Sequence, residues 1–305
     1  MEVRGKRRWL TLIAMLAALS LVFAACGEDE EPNTPSGNQG EETTGDDGGG
    51  DAEFTLVEEG HLTVGSDIPY PPFEFNDDSG ALTGFDVDIV RAVAERIGVE
   101  NTDDDWLSVN FDTIFTQLQR SNKFDIIAAA VTAYAPEGSP AFEVTEERKT
   151  FVDFTVPIYP SLQSLTVDTE ANPDIMGVDD LPDGARVAVQ ASTTGAFYAE
   201  ENLTGAELVQ FPKAPQMYQA LQAGQVVAVF NDLPISLDAI KGKDQLQVVE
   251  QVETGEEYAI AVAKDNPALL EAINGALEEI FADGTYAEIF KKYFPEQELP
   301  DYASE

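Results

Sequence analysis

Arg148, in the stretch TEER, carries a planar guanidinium whose fork of donors matches a carboxylate. Its neighbours Glu146, Glu147 and Lys149 suit a solvated charge at a helix start equally well. Thr193 and Thr194, in VQASTTGAF, stand where a strand gives way to a helix. Backbone N–H groups and the helix dipole favour an anion there, and the same geometry serves a plain helix cap. Asp232 closes the run VVAVFND with a carboxylate, either as a cation partner or as an ordinary N-cap. A fourth stretch, SDIPYPPFEF at residues 66–75, packs three prolines and three aromatic rings into one loop. Its prolines preset the backbone and cannot continue a strand ladder, so Asp67, Tyr70, Phe73 and Phe75 are held in a fixed display. Phe73 and Phe75 read as core packing, whereas Tyr70, set between Pro69 and Pro71 with a polar tip, reads as a ligand wall. The chain's one histidine, His61, begins a strand and reads as structural or exposed. Its one cysteine, Cys26, leaves no disulfide framework.

Alternating strands and helices are needed to position these residues. Residues 62–65, 124–131, 186–190 and 226–230 are continuous apolar runs of strand length, the pattern of strands buried on both faces. Between them, GFDVDIVRAVAERIG spaces Phe85, Ile89, Val93 and Ile97 on one helical face, with Asp86 and Asp88 at its start and Gly98 beyond its end. NPALLEAINGALEEIFADG does the same with Leu269, Ile273, Leu277 and Phe281 before Gly284. The alternation predicts an α/β fold with mostly parallel strands. Such sheets hold ligands in the crevice beyond the strands' C-terminal ends, where the proline loop lies.

With 305 residues and 43% hydrophobic content, the chain can bury a sizeable core. Its formal charge of -40, from 57 acidic and 17 basic residues, excludes nucleic acid as a partner, because no basic surface exists to neutralise phosphates. Arg4, Lys6, Arg7 and Arg8 precede an apolar run at residues 9–25 that ends in small residues, the pattern of a secretory signal, with a retained membrane anchor as the alternative. Residues 27–53 are acidic and glycine-rich with no basic residue, a segment unable to offset its own ordering entropy. They read as a tether about 30 Å long that holds a folded domain off a membrane.

Six segments, taken together and in order, resemble one family. VGSDIPYPPFEFNDDSGALTGFDVDIVRAVAERIG, FDTIFTQLQRSNKFDIIAA, TEERKTFVDFTVPIY, DDLPDGARVAVQASTTG, ALQAGQVVAVFND and FADGTYAEIFKKYF are similar to the extracytoplasmic solute-binding proteins of amino-acid ABC transporters. The match covers essentially all of residues 54–293. It implies a two-lobed clamshell, the type II periplasmic-binding-protein fold, with lobe one at residues 54–160 and 255–305 and lobe two at 161–254. Two crossings are expected near residues 161–166 and 252–257. A free amino acid is a zwitterion, and burying both of its charges demands a partner for each. The resemblance implies Arg148, Thr193 and Thr194 for the carboxylate, and Asp232, the Ala130 carbonyl and the Thr132 hydroxyl for the ammonium. It places Trp106 at the ligand side chain, though a buried core tryptophan suits that position too. Asp67 and the overall acidity lean towards a polar or cationic side chain. FAAC at residues 23–26 is similar to a lipobox, with Phe23 where leucine is usual, and implies lipidation of Cys26. The expected partners are the amino acid, a membrane permease and, through the lipid, the membrane itself, with the protein a monomer and no cofactor or metal.

Two features depart from the family pattern. AYAPEGSPAFEV at residues 133–144 is inserted before the arginine motif, where it stands to reshape the cleft entrance through Tyr134 or Phe142, and Val227 replaces an acid. Two rival functions share the fold: a dehydratase of the cyclohexadienyl or arogenate type, for which Glu74 is the candidate acid, and the ligand-sensing input of a receptor. The strong acidity suits plain solubility, and a salt-loving adaptation is the alternative. Plain solubility predicts a melting temperature that is flat in added KCl, and a steep climb would mark the salt adaptation instead.

Overall fold

The computed structural model describes residues 54–303 apart from residue 122; the N-terminal apolar run, Cys26 and the acidic tether lie outside the described residues. Strand β1 (Val64–Ser66) runs directly into the proline loop, and the hairpin of β2 (Phe75–Asn76) and β3 (Leu82–Thr83) leads on to helix α1 (Phe85–Arg96). Phe85, Ile89 and Val93 of α1 are buried as their spacing predicts, while Ile97 falls at the C-cap. Next come β4 (Trp106–Ser108), α2 (Phe111–Ser121), β5 (Ile126–Ile127), β6 (Thr132–Tyr134), α3 (Pro140–Phe151) and β7 (Val152–Phe154). A long strand, β8 (Tyr159–Asp168), then crosses into a second sheet. That sheet is built from β9 (Arg186–Gln190), α4 (Thr194–Asn202), β10 (Glu207–Phe211), α5 (Ala214–Gln222), β11 (Ala228–Asp232) and α6 (Leu233–Ala239). The return strand β12 (Leu246–Tyr258) pairs antiparallel with β8 and delivers the chain to β13 (Ala261–Ala263), α7 (Pro267–Ala282) and α8 (Thr285–Tyr293).

The first sheet has the order β4-β1-β5-β13-β7 and the second β10-β9-β11-β8-β12-β6. Pairing of β1 with β4 and β5, and of β9 with β10 and β11, is parallel, whereas β13 with β5 and β7, β11 with β8, and β12 with β8 and β6 pair antiparallel, so the sheets are mixed and not mostly parallel as the alternation predicts. The result is an α/β clamshell of two lobes joined by β8 and β12, with a cleft at the C-terminal ends of the parallel strands. Among the described residues no helix is long and apolar enough to cross a membrane.

Two local expectations need correction. The apolar run at 124–131 is not one strand. β5 covers only Ile126–Ile127, and Ala130 turns to a φ of 47°, with its N–H donated to Asp86 Oδ2 at 2.9 Å. A non-glycine residue in that region ends strand pairing, and the chain leaves for β6, which pairs with β12 in the other sheet. The second concerns Arg148 and turns on the insertion at 133–144. It completes β6 and then opens α3 at Pro140, the favoured residue at a first helical position. Arg148 therefore sits roughly two turns into the helix, on the face it shares with buried Ala141, Val144 and Thr145, and is not a solvated charge at a helix start. Tyr134 donates to the Thr155 carbonyl at 2.7 Å, away from the cleft.

An aromatic cluster fixes the proline loop to the crossing strands. Phe73 is fully buried, edge-on to Tyr159 at 5.0 Å and to Tyr258 at 5.4 Å, the terminal residues of β8 and β12. Phe85 and Phe294 complete its surroundings. The loop's return over α1 needs a glycine. Gly84 has a φ of 140°, and a Cβ there would lie 2.0 Å from the Phe73 carbonyl oxygen. Gly84→Ala should lower unfolding free energy by at least about 2 kcal/mol, read as the denaturation midpoint in urea.

Candidate functional site

The ends of β1, β5, β9 and β11, with the start of β6 and helix α3, bring Asp67, Tyr70, Ala130, Thr132, Arg148, Thr193, Thr194 and Asp232 to one cleft, which Phe111, Ala129 and Gln190 also line. Eight of the nine residues expected to contact ligand are thus together. Trp106 is the exception: it lies in β4 within the core, its indole N–H donated to Asn101 Oδ1 at 2.9 Å, and it does not line the cleft. That is the core packing its sequence position equally suited.

Arg148 dominates one side. Only 5% exposed, it is covered by the rings of Phe111 and Phe115, each centred 5.3 Å from its guanidinium carbon. It donates to the Thr132 carbonyl at 2.8 Å and, across the cleft, to the Ser192 carbonyl at 3.3 Å. Burial lowers its pKa to about 10, against the pull of Glu256 and Asp232 in the other direction, so it stays charged at neutral pH. The N-terminus of α4 faces the same space. Thr193 caps it, accepting from the Ala196 N–H at 3.1 Å, after Ser192 has taken a φ of 64°. Cation and helix dipole together make an anion site.

The opposite charge gathers at the crossing strands. Asp232 accepts from Tyr70 at 2.5 Å and from the Gln163 amide at 2.5 Å. The first of these bonds joins the proline loop of one lobe to β11 of the other. Burial above all, with Asp232 adding to it, holds the Tyr70 hydroxyl well above its ordinary pKa, so it remains a donor. Glu256, on β12 and only 1% exposed, accepts from the hydroxyls of Thr132 at 2.7 Å and Thr194 at 2.6 Å. A hydroxyl has one proton to give. With both protons directed at Glu256, Thr132 and Thr194 present only lone pairs to the cleft, as acceptors for an ammonium.

A third cluster links the lobes. Asp67 accepts from Gln190 at 2.6 Å and forms an ion pair with Lys213, the residue before α5. Burial pushes the Asp67 carboxyl up, and Lys213 and Gln190 pull it back. Sequence reasoning missed Gln163, Gln190, Lys213 and Glu256. For Lys213 one signal existed: it is one of 17 basic residues among 57 acids, placed just before a helix at the crevice edge. Glu256 had none, being one of three glutamates in VETGEEY.

Two other candidates stand apart. His61 faces Asp105 at 3.2 Å and does not line the cleft. Glu74 is wholly buried behind the proline loop, and its carboxylate oxygens have no hydrogen-bond partner among the described residues. It does not line the cleft either. Among the described residues no cluster of histidine, cysteine or carboxylate side chains is arranged to hold a metal ion.

The model of the bacterial extracellular solute-binding proteins, family 3, matches residues 62–296. The L-cystine-binding protein TcyJ of Escherichia coli (strain K12) is 31% identical over 240 residues, spanning 78% of this chain and 84% of that protein. An ancestral arginine-binding protein bound to arginine superposes with a TM-score of 0.67 at 35% identity, covering 77% of this chain and 98% of the other. AncCDT-1, an ancestral amino acid-binding protein and precursor of cyclohexadienyl dehydratase, does so with 0.66 at 32% identity, covering 77% and 95%.

Asp86, behind the cleft, supports Ala130 through one oxygen, while its Oδ1 has no partner among the described residues. Burial raises its pKa to about 7. An acid whose folded pKa lies above its unfolded one stabilises the fold below the unfolded value, and that contribution is lost as pH rises through the folded one. Asp86→Asn, which keeps an acceptor for the Ala130 N–H, should therefore melt above the parent at pH 8 and lose that advantage by pH 4, measured by calorimetry at both values.

Proposed function

This chain belongs to family 3 of the bacterial extracellular solute-binding proteins, and we propose that its cleft takes a free α-amino acid outside the cell and delivers it to the permease of an ABC transporter. The observation that carries this reading is the separation of charge across the cleft. Arg148 and the α4 terminus offer an anion site, and Asp232 with the acceptor hydroxyls of Thr132 and Thr194 offers a cation site. A zwitterion meets both, so each of its charges is paired as burial demands. Tyr70 and Arg148 reach across to the other lobe, which ties ligand capture to closure. Closure of this kind is a population shift no larger than the ligand's preference for the closed form.

The relatives named above are a cystine-binding protein, an arginine-binding protein and an ancestral amino acid-binding protein, which supports the same class. The dehydratase reading is less supported, because its candidate acid, Glu74, lies outside the cleft lining and neither histidine nor cysteine is in it. Lipidation of Cys26 and the acidic tether would hold a monomeric binding domain near the membrane, within reach of its permease.

Titration calorimetry against the common amino acids tests the proposal. Arg148→Ala and Asp232→Ala should each cost about 2 to 5 kcal/mol of binding, the usual loss when one partner of a buried charge pair is truncated. Unchanged affinity in either variant would remove that residue from the site. Burial, with Glu256 second, raises the Asp232 pKa to about 6. A protonated Asp232 cannot pair an ammonium, so affinity should fall as pH drops below about 6 and hold steady above it.

A further inference from the structure

Lys213 belongs to the lobe of α5, yet its half-buried ammonium sits among acceptors of the other lobe. Its three donors have three partners: Asp67, the Ile68 carbonyl at 3.2 Å and the Val109 carbonyl at 3.1 Å. Asp67 therefore offers no unmatched negative charge to a ligand. One of its oxygens pairs with Lys213 and the other accepts from the Gln190 amide at 2.6 Å. The orientation of that amide is set by its neighbours, because Gln190 Nε2 faces two acceptors, Asp67 Oδ2 and the Pro212 carbonyl at 3.3 Å. Its Oε1 is left over. Gln190 is 2% exposed and lines the cleft, and Oε1 has no hydrogen-bond partner among the described residues. A buried acceptor of this kind calls for a donor.

We infer, on the amino-acid reading above, that the Asp67 side of the cleft selects an uncharged side chain that donates a hydrogen bond, a primary carboxamide, and refuses a cationic one. A guanidinium or ammonium placed there meets Lys213, a like charge already seated on the only carboxylate of that cluster. A carboxamide N–H meets Gln190 Oε1, and it brings no charge that has to be desolvated. Like-charge juxtaposition and an unpaired acceptor both act as discrimination against the wrong ligand.

Titration calorimetry of the full chain with glutamine and with arginine tests this, in the parent and in Lys213→Met and Lys213→Arg. The parent should bind glutamine at least about tenfold more tightly than arginine. Lys213→Met should raise arginine affinity relative to glutamine by about tenfold or more, because Asp67 regains an unmatched charge, and Lys213→Arg should keep the parent's order. A parent that prefers arginine, or a ratio that Lys213→Met leaves unchanged, would overturn the inference while leaving amino-acid binding intact. Should Lys213→Met fail to fold, the parent's order of affinities and that of Lys213→Arg still decide the matter. Absence of binding by any common amino acid would instead overturn the amino-acid reading, and this inference with it.

Discussion

A charge buried away from water must find an opposite charge or a set of dipoles, and in this protein that requirement is met only where two lobes touch. Arg148 is almost wholly enclosed, packed against two phenylalanine rings of α2, and one of its two carbonyl acceptors, that of Ser192, comes from the opposite lobe. Asp232 takes one of its hydrogen bonds from Tyr70, again across the cleft. Neither lobe by itself supplies the full set of partners. The geometry of strand ends, loop and crossing strands can be understood as the means of bringing these partial sets face to face.

The proline loop shows how rigidity reaches the cleft. Its anchor, Phe73, sits edge-on to Tyr159 and Tyr258, which are the first residue of one crossing strand and the last of the other. Its display residue, Tyr70, lies three positions earlier and has its hydroxyl on Asp232. The same aromatic core therefore holds both the hinge strands and the reach of the tyrosine. Ala130, which lines the cleft, and Ser192, which precedes the cleft residue Thr193 and accepts from Arg148, are the two non-glycine residues with positive φ among those described. Backbone strain concentrated in this way is typical of sites over-determined by their surroundings.

Acidity has a local as well as a global meaning. The chain carries a charge of -40, and within the described residues Asp67, Asp86, Asp232, Glu74 and Glu256 are all buried around or behind the cleft. They are treated differently: Asp67 is neutralised by a lysine, Glu256 is satisfied by two hydroxyls, Asp232 by a tyrosine and an amide, and Glu74 and Asp86 are pushed towards protonation by burial. The same carboxylate group thus serves as an ion-pair partner, a device that orients hydroxyls, an acceptor for a tyrosine and an amide, and two structural acids, according to what each meets in the fold.

The sequence by itself determined the α/β class, the helices that begin at Phe85 and Pro267 and the strand at Arg186–Gln190, because hydrophobic period and turn chemistry can be read along the chain. Resemblance to one family pointed to Arg148, Asp232 and the paired threonines, each of which suits a solvated charge or a plain cap by residue type alone. Tertiary structure decided the rest. Whether Arg148 faced water or the interior depended on where its helix began, which the inserted Pro140 settles only when α3 is packed. The apolar run at 124–131 forms only a two-residue strand, and the chain leaves for the other sheet at Thr132, with Ala130 held by Asp86, some forty residues earlier in the chain. Glu256 and Lys213 are ordinary charged residues in their own segments. Their roles arise from partners more than sixty positions away, and hydrogen bonding at that separation leaves no local pattern to read.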